Sequence, residues 1–185
     1  MSESLQVTEE LDSRPDSSRV RALGGRAFRG CAVEASLPPE VVDGLRVTHL
    51  ALLATASRDA RPTTTLVSWL WPVDPTRLLF ALDRRGLAFK NLIENPFAAL
   101  EILIGQFAGA ARGTVTILPE CLMTPFPCSV ALLQLAEVRR HDVDGVIVLP
   151  PRYEFAGDKQ HYARTDGAIV DQLAEIAIRI EAGQD

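Results

Sequence analysis

The chain has 185 residues, 47% of them apolar and 23% charged, which suits one domain with a core of its own. A formal net charge of −5 gives no broad basic field for nucleic acid or an anionic membrane, so any phosphate site must be local. Apolar runs such as Leu50 to Ala54 and Val146 to Leu149 fall far short of the ~20 residues that a bilayer crossing needs. The start, Met1 to Gln6, has neither a cationic nor an apolar leader segment, so a cytoplasmic location is expected. Cys31, Cys121 and Cys128 form no CxxC pair and have no histidine spaced to complete a zinc site, so no metal is expected.

Residues 1 to 35 mix charge, serine and glycine without a sustained period, which reads as a loosely docked arm preceding a single domain over 36–185. Ser36, followed by Pro38, Pro39 and Glu40, marks a helix start, and Val41, Val42 and Leu45 give that helix one apolar face. His49 to Ser57 reads as a strand. A turn over 58–62 leads to a β-branched run, Thr63 to Val67, that continues through Trp69, Leu70 and Trp71. Leu78 to Leu82 is the third strand. A helix follows over Leu87 to Glu94, stopped because Asn95 precedes Pro96. Strands resume at Ala98 to Ile104 and Gly113 to Leu118. Val130, Leu133, Leu135 and Val138 suggest a helix running to Arg140, Val146 to Leu149 a further strand, and Ile169, Leu173, Ile176 and Ile180 a final helix opening near Thr165 or Asp166.

Strands joined by short turns, with one compact helix between the third and fourth, do not make a βαβ series. An antiparallel sheet closing toward a barrel fits better, and incomplete closure leaves a groove that a second copy can cover.

Ala54-Thr55 in the first strand, Pro62 opening the second, and Asn91-Leu92 followed by Asn95-Pro96 before the fourth carry a resemblance. In this order they resemble the pyridoxamine 5'-phosphate oxidase-like family of FMN-binding split barrels. The resemblance implies a mainly β fold, a six-stranded antiparallel Greek-key split barrel with flanking helices. It also implies a homodimer with FMN at the interface. In such proteins the second strand lies along the flavin ring, which here points to Thr65, Val67 and Ser68. Trp69 and Trp71 share a strand face and either wall a flavin or pack against core or partner.

The family's phosphate grip lies at the start of the helix after the third strand. There the usual lysine position falls on Ala88 and the usual serine position on Gly86. Arg84, Arg85 and Lys90 flank that gap, and a guanidinium can meet phosphate with two parallel hydrogen bonds. Asn91 can bond either phosphate or a neighbouring loop. No side chain stands out as catalytic. The expectation is therefore an FMN-dependent oxidase or reductase of a small molecule. A flavin- or haem-binding dimer without turnover is the alternative, and a cofactor-free interaction dimer is a third.

Overall fold

In the computed structural model, residues 33–48, 50–141, 147, 149, 151–159 and 161–184 are described. In chain order they form β1 (Val33–Glu34), α1 (Pro39–Thr48), β2 (Ala51–Ala56), β3 (Pro62–Val67), β4 (Leu70–Asp74) and β5 (Arg77–Asp83). Then come α2 (Leu87–Glu94), β6 (Phe97–Ile104), β7 (Phe107–Ile117), β8 (Cys128–Arg140) and α3 (His161–Glu181).

The strands make one antiparallel sheet of eight, ordered β3-β2-β6-β7-β8-β5-β4, with β1 paired to β8. Its two ends, β3 and β4, are consecutive in sequence and joined only by Ser68 and Trp69. The sheet curls around a first core built from one face of the strands β2 to β8, with Leu53, Leu78, Phe80, Leu100 and Leu133 fully buried. Val41 and Leu45 of α1 and Ala88 and Leu92 of α2 plug this interior. The antiparallel split barrel expected from the sequence is thus the fold that forms, with eight strands among the described residues where six were expected.

A second core lies on the opposite face of β4, β5 and β8. Val73, Leu79, Ala81 and Val130 meet the apolar stripe Ile169, Leu173, Ile176 and Ile180 of α3, which recurs at helical spacing. Helix α3 therefore covers one half of the sheet's outer face. It opens at His161, a turn earlier than the sequence suggested.

Three expectations are corrected. The helix expected from Val130 to Arg140 is instead β8, the longest described strand, at 13 residues. Ala131, Leu133 and Leu135 alternate into the barrel, but the register with β7 shifts between Arg112 and Gly113. There Arg112 faces Glu137 and Gly113 faces Leu135, so Ala136 bulges. That extra residue returns Val138, rather than residue 137, to the interior, and the 2-then-3 spacing imitates a helix. Secondly, the strand read as continuous from Thr63 to Trp71 breaks at Ser68 and Trp69, because the chain crosses there from one end of the sheet to the other. Thirdly, β7 begins six residues before Gly113, in the glycine- and alanine-rich stretch after the Gly105 turn, where φ is +60°.

Two further expectations touch residues only partly described. Most of the N-terminal arm lies outside the described residues, although Val33 and Glu34 within it form β1. Of the strand expected at Val146 to Leu149, Val146 and Val148 lie outside the described residues, and Ile147 and Leu149 carry no regular structure.

Candidate cofactor groove

The half of the outer face that α3 leaves uncovered, over β3, β2, β6 and β7, carries an apolar patch. Leu52 and Leu66 face each other across β2 and β3 at 43% and 56% exposure, and Phe97 at the start of β6 is 67% exposed. Between them every second residue is small. Ala54 pairs with Ala99 across β2 and β6, and Ala56 and Ala136 continue the floor, so a groove of about 470 Å³ remains open above the sheet. That volume lies within the range of about 300–1,000 Å³ typical of small-molecule sites. Gly113 also lines it. A Cβ there would fall 1.8 Å from the Gln134 carbonyl oxygen, so the close approach of β7 to β8 at the bulge requires glycine.

The groove's polar groups are already engaged. Asn91 Nδ2 donates to Thr55 Oγ1 at 3.0 Å, a buried bond that pins α2 to β2. Asn95 Nδ2 donates to the Ala56 carbonyl at 3.3 Å, and its Oδ1 accepts from the Phe97 amide at 3.3 Å. At the rim, Arg112 pairs with Glu137 at 3.2 Å, and Arg139 reaches the same carboxylate at 2.9 Å. Hydrogen bonding from Arg139, with Arg112 adding its charge, holds the Glu137 carboxyl below its usual range.

The side chains singled out in the sequence lie elsewhere, apart from Asn91, which reaches the groove through Thr55. Thr65 and Val67 oppose Leu53 and Ala51 on the barrel's interior side, and Val67 is buried. Ser68 and Trp69 form the corner between β3 and β4. Trp69 stacks on Phe126 at 5.6 Å and donates Nε1–H to Asp166 Oδ1 at 2.8 Å, so both tryptophans pack beneath α3 of their own chain. Arg84 and Arg85 share this end of the sheet, since the Arg84 amide donates to the Pro127 carbonyl, next to Phe126. The Arg85 guanidinium closes on Asp83 at 2.6 Å, and its hydrogen bonds hold that carboxyl at about 2. Arg84 lies 5.9 Å from the Phe89 ring centre, and Lys90 is exposed. Gly86 supplies no side-chain cap to α2, and Ala88 points into the first core at 3% exposure.

One cluster escaped the sequence reading. Tyr153 donates its hydroxyl to Asp166 Oδ2, so that a single carboxylate accepts from both Tyr153 and Trp69. Burial first, and then this bond, push the Tyr153 phenol up to about 12 from 10.0. A raised phenol favours the folded state fully below pH 10 and loses that contribution as pH rises toward 12. Ultraviolet titration of the phenolate is expected to show one late tyrosine, which Asp166→Asn moves back toward 10. The groove left only a faint trace in the sequence, Ala54 and Ala56 at alternate positions of β2 with Ala99 opposite on β6. Glu137 left none, because it lay in a segment read as helix.

Among the described residues no group of three or more His, Cys, Asp or Glu could hold a metal ion, and no helix is long and apolar enough to cross a membrane.

An antiparallel split barrel with one uncovered, grooved face defines the structural class. No protein-family model and no curated protein matches the sequence. Solved structures do match by fold. A candidate pyridoxamine 5'-phosphate oxidase from Lactobacillus delbrueckii superposes with a TM-score of 0.50 at 23% identity, over 57% of this chain and 94% of that one. HupZ from Group A Streptococcus does so with a TM-score of 0.50 at 14% identity, over 61% and 98%. The chain has the split-barrel fold of the pyridoxamine 5'-phosphate oxidase-like proteins.

Proposed function

We propose that two copies of this chain associate through the open half of the sheet and hold a flavin-type ring in the groove between them, as an oxidoreductase of a small molecule. The observation that carries this reading is the alanine-floored groove between Leu52, Leu66 and Phe97, on a face that nothing in the chain's described residues covers. An exposed apolar patch of this kind marks an interaction or ligand surface. Alanine methyls offer a flat floor, and the Phe97 ring offers an edge or face to a planar aromatic.

The flavin, when bound, supplies the electron chemistry. The chain's own part is to bury the ring and exclude water. Among the described groove residues only Glu137 carries a carboxylate, and its two arginines hold it as an acceptor rather than a proton donor.

The purified protein is expected to quench flavin fluorescence and to elute as a dimer. Leu66→Glu places a charge opposite Leu52 on that face and is expected to shift the light-scattering mass to that of one chain while leaving the fold intact. A dimer of unchanged mass would move the association to another surface. A protein that leaves flavin fluorescence unquenched would end the flavin reading.

A further inference from the structure

Resting on that reading, we infer that the groove takes the uncharged ring of a flavin and provides no grip for its phosphate, so the dephosphorylated and phosphorylated cofactors bind alike. The groove's charged groups are Arg112 and Glu137, one of each sign and already paired at 3.2 Å. Arg139, which does not line the groove, further commits the same carboxylate. Thr55 and Asn95 are engaged within the chain by Asn91, the Ala56 carbonyl and the Phe97 amide. A phosphate drawn into this space would lose water and meet an arginine already paired with Glu137, so the lost hydration is not replaced by a free cation.

The start of α2 does not line the groove. Gly86 brings no hydroxyl, Ala88 is turned into the barrel, Arg85 is closed on Asp83, and Arg84 and Lys90 are exposed outside the groove's lining. The remaining surface, Ala54, Ala56, Ala99, Ala136 and Phe97, recognises shape and apolar area. A planar ring presents both. The phosphorylated tail of FMN is then left in solvent.

The test is a pair of fluorescence titrations of the full chain, with riboflavin and with FMN, each at about 50 and about 300 mM salt, a range over which an exposed phosphate contact weakens. The expected result is dissociation constants within about threefold of each other and little changed by salt, because no ion pair to phosphate forms. Ala99→Leu, which raises the groove floor, is expected to weaken both ligands by about tenfold or more. Glu137→Gln releases Arg112, and FMN affinity should rise about fivefold while riboflavin affinity stays the same. FMN binding more than about tenfold tighter than riboflavin, and lost with salt, would overturn the inference and leave the ring reading standing. Equal binding that Ala99→Leu does not alter would also overturn it, since the ring would then sit outside this groove. No quenching by either flavin at about 100 µM would remove the ring reading and the inference together.

Discussion

Gly113→Ala is expected to destabilise the protein by about 3 kcal/mol, the upper end for an inserted methyl, because the overlap is with backbone rather than with a movable side chain. The new Cβ falls 1.8 Å from the Gln134 carbonyl oxygen and 3.0 Å from Leu135 Cα. Relieving it requires β7 and β8 to separate at the bulge, where Gly113 pairs with Leu135. For a domain of this size that is a fall of about 6–12 °C in Tm, readable by calorimetry. Gly167→Ala provides a contrast in sign. Its Cβ meets nothing within 4 Å, and the position lies inside α3, so it should gain about 0.5–1 kcal/mol. A Gly113→Ala protein melting with the parent would mean that the strands do not approach as closely as the geometry requires.

Leu173→Ala should cost about 3 kcal/mol. Leu173 is fully buried at the centre of the α3 stripe, against the outer face of β4, β5 and β8. Removing it leaves a cavity beside Leu79 and Ala81, whose backbone is fixed by the sheet and cannot collapse into the space. The near-ultraviolet circular dichroism should weaken as well, since Trp69 and Trp71 pack in the same cluster. Ile178→Ala on the same helix, at a position 66% exposed, is expected to change stability by less than about 0.5 kcal/mol. If the two variants melted alike, α3 would not be docked as described.

What the sequence disclosed followed from how many faces each element buries. Helix α2 was legible to the residue, because one apolar face and the Asn95-Pro96 stop mark both its stripe and its end. Strand β8 was not, since its inner face meets the barrel core while Val130 and Leu132 on its outer face meet the second core. The Ala136 bulge then broke the alternation. The start of β7 hid for another reason. Alanine and glycine have weak strand preference, yet a Cβ on Gly109 would stand 2.7 Å from the Arg139 carbonyl oxygen.

The site divided similarly. Chemistry-bearing residue types drew attention to Arg84, Arg85, Lys90 and Asn91, whereas the groove is made of alanines that no chemical motif marks. Asn91 carries a second task that its residue type does not reveal: its amide is bonded to Thr55, holding α2 against the sheet.

Strand β5 alternates between two cores. Leu78, Phe80 and Leu82 enter the barrel, and Leu79 and Ala81 enter the layer beneath α3, while its backbone is bonded on both sides, to β4 and β8. Neither layer can therefore be lost without exposing one face of the strand on which the other layer packs. Hydrogen exchange should find its slowest protons in β5 and in the facing stretch of β8 from Ser129 to Leu133, both released only by global unfolding. The helical layer and the barrel would then behave as one cooperative unit, melting in a single transition.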